Sequence, residues 1–247
     1  TVVNASTLRI GARMLVREDG TTTGTLGDAK AEAEAIMTAK AVMPMGMSER
    51  FVTATGDEGF VAGFTAPATV VLVGGGHVNL QVAKIAEMLG FRVMVTDDRP
   101  EFASQERFPM AEATKVAPYD KGLDTFPITP NTAIIVGSRG HQYDDLALEA
   151  AARTSASYVG LLGSKRKAIM IYESLLKRGT PIERLREIRS PVGLDLGGRT
   201  PEEIAVSIMA EVVAFRYGHA GDSMKLEEAQ LQRIVAKVGK QASSPAR

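Results

Sequence analysis

Apolar residues along the chain fall into short runs, separated by stretches in which they recur every three or four positions. The run at residues 70–73 is entirely apolar, and mainly apolar runs follow at 91–96, 132–136 and 158–162. Such runs are typical of strands buried on both faces of a sheet. The stretches between them have helical periodicity, as at Val78, Val82, Ile85, Ala86 and Leu89. This alternation predicts an α/β fold with a doubly wound parallel sheet over residues 67–218.

Helix boundaries in this region have signals of their own. We predict helices over residues 143–153 and 165–177, the second of which ends at Gly179. Thr200, Pro201 and Glu203 form the pattern of a capping box with proline in the first turn. A long helix is therefore expected to begin at this point.

The flanking regions have different patterns. Residues 1–66 predict a smaller mixed α/β domain: a β-hairpin from 12–17 and 22–26, a helix over 29–42 capped by Asp28, and strands at 1–3 and 51–55. Because the chain begins inside a strand pattern, we expect a missing N-terminal piece. Residues 219–247 predict an amphipathic helix at 225–238 and a disordered tail at 241–247.

Composition argues against several classes of partner and of site chemistry. The 247 residues contain 29 Lys and Arg and 29 Asp and Glu, and this balance argues against a nucleic-acid or anionic-membrane partner. The sequence contains no cysteine, which excludes disulfides, thiolate metal sites and a cysteine nucleophile. No run is long enough to span a bilayer and no export signal is present, so a cytoplasmic protein is expected.

A glycine motif follows the first predicted strand of the large unit. Gly74, Gly75 and Gly76 precede His77 and stand where a Rossmann-like fold carries its dinucleotide fingerprint, G-x-G-x-x-G. Gly74 would allow the tight turn, and Gly76 would let the backbone approach a pyrophosphate at the helix N-terminus. Asn79 replaces the third glycine. The alternative is a strand–helix turn that uses glycine only for its geometry.

Acidic residues end the second strand, about 20 residues beyond the glycines. Asp97 stands where a carboxylate normally accepts hydrogen bonds from the ribose hydroxyls of a dinucleotide, and Asp98 follows it. Arg99 could instead meet a phosphate, so NAD and NADP are not separated. The alternative for Asp97 is a helix cap or a surface ion pair.

A second loop is expected beside the glycines. Arg139 and His141 follow the strand at 132–136, and Asp144 lies three residues further along. If the strand order is 3-2-1-4-5, this loop and His77 meet at the switch point, where open α/β sheets bind ligands. Each histidine alone is better explained as an ordinary loop residue, whereas for the two together a loop role and a ligand role are equally well supported. A His–His–Asp metal site is less favoured than ligand contact, and we predict no tightly bound metal.

Two further segments each have both a structural and a functional interpretation. Ser164 and Lys165 begin a basic turn before a predicted helix, where cations oppose the helix dipole unless an anion is bound. The alternative is a solvated basic turn, and the spacing excludes a P-loop. The glycine-rich loop at 191–201 is explained equally well as a turn and cap or as a binding loop.

Three functions fit these motifs: a cofactor-binding accessory protein, an NAD(P)-dependent oxidoreductase, and a nucleotide-sensing regulatory module. An oxidoreductase needs a proton donor beside the nicotinamide. His141 or Tyr143 could donate, but no Ser–Tyr–Lys or His–Asp arrangement is evident in the sequence.

Several segments together resemble the xanthine dehydrogenase accessory family, XdhC/CoxI. They are Gly76-His77-Val78, residues 98–102, Arg107-Phe108-Pro109, Arg139-Gly140-His141 with Asp144, residues 158–167, 191–197 and 200–205. In the first domain, residues 11–16, Asp19-Gly20, 24–27 and Glu32 also fit. The resemblance covers most of residues 70–217.

The resemblance implies a chaperone that binds the molybdenum cofactor, helps its sulfuration and delivers it to a hydroxylase such as xanthine or carbon monoxide dehydrogenase. It implies this client as a partner, and a cysteine desulfurase and a homodimer are also expected. The ligand would be the molybdenum cofactor (molybdopterin) or NAD(P). Its expected contacts are the residues singled out above: Gly74, Gly75, Gly76, His77, Asp97, Asp98, Arg99, Arg139, His141, Asp144, Ser164 and Lys165.

The sequence departs from the family pattern in the first domain. The family's Gly-Ser-Ser-Pro-Arg stretch is Ala5-Ser6-Thr7-Leu8-Arg9 here, and Lys30 stands where the family has a cysteine. Sulfur handling by a thiol of these 247 residues is therefore excluded.

Overall fold

A computed structural model describes residues 1–43 and 46–242 of the chain, without the side chains of residues 141–142 and 238–242. Most of the disordered tail predicted at 241–247 therefore lies outside the described residues. Residues 241–242 end a helix.

In the N-terminal region, the described residues form five short strands and one α-helix. β1 (Val2–Asn4), β5 (Glu58–Ala62) and β4 (Ser48–Val52) form an antiparallel sheet in the order β1-β5-β4, and β2 (Met14–Val16) pairs with β3 (Thr22–Gly24) as the predicted hairpin. Helix α1 (Ala29–Val42) begins at Asp28, whose carboxylate accepts hydrogen bonds from the backbone N–H groups of Lys30 and Ala31. The structure places β4 at 48–52 rather than at the predicted 51–55, and β5 was not predicted.

A buried carboxylate holds the loop after β1. Asp57 is 1% exposed, and it accepts hydrogen bonds from the backbone N–H groups of Ser6 (2.7 Å), Thr7 (3.2 Å) and Leu8 (3.2 Å). Hydrogen bonds from the Thr7 hydroxyl and the Ser6 backbone hold the pKa of Asp57 well below its usual value. The segment that departs from the family pattern is therefore fixed by a residue from the β4–β5 turn.

The large unit is built on a five-stranded parallel sheet. Its strands are β6 (Thr69–Val73), β7 (Arg92–Asp97), β8 (Ala113–Val116), β9 (Thr132–Val136) and β10 (Tyr158–Leu161), in the order β10-β9-β6-β7-β8. This is the order 3-2-1-4-5, which was the condition for His77 and the loop after β9 to meet at the switch point of the sheet. We call the space between these loops the crevice. The edge strand β8 was missed because its residues are half-buried or exposed and form no apolar run.

Helices cover both faces of this sheet. They are α2 (His77–Met88), α3 (His141–Ala152), α4 (Lys165–Lys177), α5 (Ile182–Glu187) and α6 (Pro201–Arg216). On β6, Val70 and Leu72 pack toward α2 and α6, whereas Val71 and Val73 pack toward α3 and α4. Both faces are buried, which explains the unbroken apolar run. The doubly wound fold class is confirmed, with the smaller α/β region before it.

A short segment continues the sheet beyond β10. Arg189 makes a parallel bridge to Gly160, and its backbone N–H donates to the Val159 carbonyl at 2.9 Å. The backbone N–H of Val192 donates to the Leu161 carbonyl at 3.0 Å. This rudimentary sixth strand brings the loop that follows it to the carboxyl edge of the sheet.

The last helix, α7 (Glu228–Ala242), begins three residues later than predicted, and its side chains from 228 to 237 are exposed. Among the described residues, no helix is both long and apolar enough to cross a bilayer.

Candidate cofactor-binding crevice

The three glycines between β6 and α2 have two different roles. Gly74 has a φ of +106°, and a Cβ there would overlap the Gly137 carbonyl; a Cβ on Gly75 would overlap the Phe102 carbonyl. Around Gly76, no described atom lies within 4 Å of the place where a Cβ would stand. The first two glycines therefore let neighbouring loops pack, and only Gly76 leaves room for a ligand.

Gly76 is also the N-cap of α2, and no side chain of the described residues caps this end. The first backbone N–H groups of the helix are therefore available to an acceptor, at the positive end of the helix dipole. His77 is the exposed first residue of the helix. This end of α2 has the chemistry of an anion site.

Two side chains, the buried Asn79 and the half-buried Arg107, hold the glycine turn through its carbonyl groups. Asn79, which replaces the third glycine of the fingerprint, donates from Nδ2 to the Gly74 carbonyl at 2.7 Å. Arg107 donates from Nε to the Gly75 carbonyl at 2.8 Å. Asn79 Oδ1 and Arg107 Nη2 are buried without a hydrogen-bond partner in the described part of the chain. Such atoms call for a water or a ligand, so the turn fits a polar group.

Asp97 stabilises the turn from the end of β7. Its side chain is 0% exposed and accepts from the Gly75 backbone N–H at 2.8 Å, from Arg99 Nε at 2.9 Å and from Arg99 Nη2 at 3.0 Å. Burial alone would raise the pKa of Asp97, but the hydrogen bonds from Arg99 and Gly75 outweigh it and lower that pKa. Arg99 also lies over the Phe102 ring at 3.5 Å. Asp97 and Arg99 were both predicted to contact a ligand, but in the structure they bind each other.

Asp98 and Arg139 form an ion pair across the crevice, with 2.7 Å between Oδ2 and Nη2. Arg139 Nη2 also donates to the Tyr143 hydroxyl at 3.0 Å, and its guanidinium lies 4.6 Å from the centre of that ring. The Tyr119 ring packs against Tyr143 at 5.5 Å. Burial, with the charges of Asp97 and Asp98, raises the pKa of the Tyr119 hydroxyl, which therefore stays protonated.

Asp144 is occupied in a way that the sequence did not indicate. It is fully buried, accepts from the Ser138 backbone N–H at 3.0 Å and from the Ser138 hydroxyl at 2.8 Å, and pairs with the ammonium group of Lys167. From its spacing, Asp144 is expected to contact the ring of His141 and hold it in one tautomer. The His141 side chain is not described, so this contact lies outside the described residues. Asp144 instead joins the β9 loop to the start of α4.

The ion pair between Asp144 and Lys167 explains part of the basic turn after β10. Ser164 is the N-cap of α4, where its hydroxyl accepts from the Lys167 backbone N–H at 3.2 Å. Lys167 Nζ donates to the Leu162 carbonyl at 3.1 Å and meets Asp144. The basic turn carries three cations, at residues 165–167. The internal carboxylate of Asp144 therefore supplies the anion for one of them, Lys167. Ser164 and Lys165 are exposed at the same edge of the sheet.

The glycine-rich loop at 191–201 has clear structural contacts. Glu211 Oε2 accepts from the Gly193 backbone N–H and from the Tyr158 hydroxyl, both at 2.7 Å. Thr200 and Glu203 form the predicted capping box of α6. Burial, with the neighbouring Glu211, raises the pKa of Tyr158. These contacts favour the structural interpretation of the loop.

The fold and the crevice define a Rossmann domain with a glycine turn before a helix N-terminus that no described side chain caps. The model of the XdhC Rossmann domain matches residues 70–212, and that of the XdhC and CoxI family matches residues 1–54. The chain therefore belongs to the XdhC family, as the sequence resemblance predicted.

Three relatives and one structure extend this comparison. The chain is 29% identical to "Uncharacterized protein YqeB" of Escherichia coli over 89% of its own length and 43% of that protein. It is 34% identical to a probable xanthine dehydrogenase subunit of Bacillus subtilis, over 60% of this chain and 42% of the relative. It is 31% identical to "Molybdenum cofactor insertion chaperone PaoD" of Escherichia coli, over 42% and 35% respectively. The matched region is thus under half the length of each relative.

A crystal structure described as a xanthine dehydrogenase from Bacillus halodurans has the same fold, with a TM-score of 0.54 and 19% identity. The match covers 91% of this chain and 93% of that one. At this identity the likeness concerns the fold alone.

Proposed function

We propose that this chain is an accessory protein that binds a phosphate-bearing cofactor at the glycine turn and serves the maturation of a molybdenum hydroxylase. The observation that carries the proposal is the open N-terminus of α2 at Gly76. Arg139, whose side chain is 40% exposed, follows β9, the strand next to β6 in the sheet. Membership of the XdhC family and the likeness to a cofactor insertion chaperone support the maturation role.

The residues around the turn fit a phosphate group. Backbone N–H groups at the start of α2 would donate hydrogen bonds to its oxygens, and Arg139 would neutralise its charge. Arg107 Nη2, buried without a partner among the described residues, offers a further donor. The cofactor, molybdopterin or NAD(P), supplies the redox chemistry when bound; this chain's residues would bind and orient it.

Three partners complete the proposal: a client hydroxylase of the xanthine or carbon monoxide dehydrogenase type, a cysteine desulfurase and a second copy of this chain. The 247 residues contain no cysteine, so we propose that sulfur for the cofactor comes from the thiol of a partner. A cytoplasmic location agrees with this role.

The test is the ligand that co-purifies with the full chain, identified by absorbance and mass spectrometry. Gly76→Val is expected to lose that ligand while keeping its fold, because the added side chain enters open space at the mouth of the turn. Ala29→Val, a similar addition at the exposed start of α1, is the matched control and should keep it.

A pterin in the wild type, absent from Gly76→Val, would support the proposal. A nicotinamide would support the binding site but favour the oxidoreductase or the sensor over the maturation role. Unchanged ligand content in a folded Gly76→Val variant would refute the crevice assignment.

A further inference from the structure

The ion pair between Asp98 and Arg139 bridges two strands that are not neighbours. Asp98 follows β7 and Arg139 follows β9, and β6 lies between these strands in the sheet. Adjacent strands are about 4.8 Å apart, so the two loops begin roughly 10 Å from one another. The 2.7 Å contact closes this gap over the end of β6, where the glycine turn begins.

The ion pair that crosses the glycine turn is more exposed than the neighbouring pair between Asp97 and Arg99, and it is therefore more open to exchange. The Asp97 side chain is fully buried and holds Arg99 through two hydrogen bonds. By contrast, the Arg139 side chain is 40% exposed and the Asp98 side chain 21% exposed. Tyr143 contacts Arg139 through its ring and its hydroxyl, so Arg139 would stay at the crevice after leaving Asp98.

We infer that the Asp98–Arg139 pair is a latch over the glycine turn, opened by a nucleotide that carries both a phosphate and a free vicinal diol. The inference rests on the proposed function and names its ligand class. The phosphate at the start of α2 takes Arg139, and the released Asp98 carboxylate accepts hydrogen bonds from the two hydroxyls. A bare phosphate engages only Arg139 and offers no hydroxyl to Asp98, which keeps the longer contact of 3.8 Å with Arg99 Nε.

This arrangement selects against two related ligands. A 2′-phosphate would place its negative charge beside Asp98, so NADP⁺ should bind less tightly than NAD⁺. A pterin monophosphate without a nucleotide has no ribose diol for Asp98. The ligand class that fits both halves of the latch is a nucleotide or dinucleotide with an unmodified ribose.

The latch predicts opposite effects of one substitution on two ligands. Asp98→Asn frees Arg139, so inorganic pyrophosphate should bind about two- to fivefold more tightly, the range expected from losing an exposed ion pair. The same change removes a charged acceptor for the diol, so NAD⁺ should bind roughly tenfold more weakly. Calorimetry on the full chain at fixed ionic strength measures both, and Asp222→Asn, exposed beyond α6, should change neither.

Simple repulsion between Asp98 and an anion would also tighten pyrophosphate binding, and a double-mutant cycle separates the two causes. With a latch, the gain from Asp98→Asn disappears in an Arg139→Gln background. A gain that persists there overturns the latch, as does a shift of both ligands in the same direction. Wild-type protein that binds pyrophosphate but not NAD⁺ refutes the nucleotide class and leaves the phosphate site intact; binding of neither contradicts the proposed site itself.

Discussion

Replacing Asp97 by alanine should destabilise the fold, which distinguishes it from a residue that only contacts ligand. The Asp97 carboxylate is fully buried and receives hydrogen bonds from Arg99 and from the Gly75 backbone. Its removal leaves the Gly75 N–H without its acceptor and the Arg99 guanidinium without its main counter-ion. The nearest remaining carboxylate oxygen of Asp98 is 3.8 Å from Arg99 Nε.

The size of the loss follows from these contacts. Breaking a buried ion pair by removing one partner costs about 3–5 kcal/mol, and an unsatisfied buried N–H costs about 1–3 kcal/mol. The Arg99 side chain is 25% exposed and can turn toward water, which reduces the first term. We therefore expect the free energy of unfolding to fall by about 3 kcal/mol for Asp97→Ala.

Urea denaturation of the full chain at pH 7 measures this loss, with Asp98→Ala as the neighbouring control. The Asp98–Arg139 pair is more exposed, so its loss should cost less than about 1 kcal/mol. Because the pKa of Asp97 is lowered in the folded state, its contribution is present above the unfolded-state pKa of about 3.9 and is lost as the pH falls through the folded value. The gap between wild type and Asp97→Ala should therefore be constant from pH 7 to about 5 and narrow in stronger acid.

A stability of Asp97→Ala within about 0.5 kcal/mol of wild type would show that the buried pair does not hold the turn. The same loss for Asp97→Ala and Asp98→Ala would also contradict the division of roles drawn here between these two carboxylates.

Three further substitutions test the local structure. Gly75→Ala should reduce soluble expression or lower the midpoint of thermal unfolding sharply, because its Cβ would overlap the Phe102 carbonyl; an unchanged midpoint would refute this close packing. Thr200→Ala should cost about 1 kcal/mol in urea denaturation, since it removes the cap of α6 that Glu203 completes; no measurable loss would deny the cap a role. Asp57→Asn should lower the melting temperature at pH 7, and by less as the pH falls toward the folded-state pKa of Asp57, because the ionised carboxylate holds the loop after β1; a pH-independent difference would contradict this.

Local signals were enough to predict most elements of the large unit. Mainly apolar runs located β6, β7, β9 and β10, because both faces of these strands are buried. Helix α4 was predicted with both of its ends, and the caps at Asp28 and Thr200 were recognised because a capping residue contacts only the next few residues. The edge strand β8 and the short helix α5 lack such signals and were missed.

The position of the crevice was also readable, since a strand, a glycine turn and a helix follow one another directly in the chain. The sequence did not show which side chains at the crevice remain available to a ligand. Asp97 and Arg99 stand where a dinucleotide site needs them, but in the fold they pair with each other, and Asp97 also accepts from the Gly75 backbone N–H. Their roles as direct ligand contacts remain predictions.

Contacts between distant residues were decided only by the tertiary structure. Asp98 meets Arg139, and Asp144 meets Lys167, because the parallel strand order places their loops along one edge. The sequence determined the composition of that edge: its glycines, carboxylates and cations. The sheet then determined which charges neutralise each other and which remain exposed, since a Coulombic contact depends on distance in space, whereas capping and periodicity depend on distance along the chain.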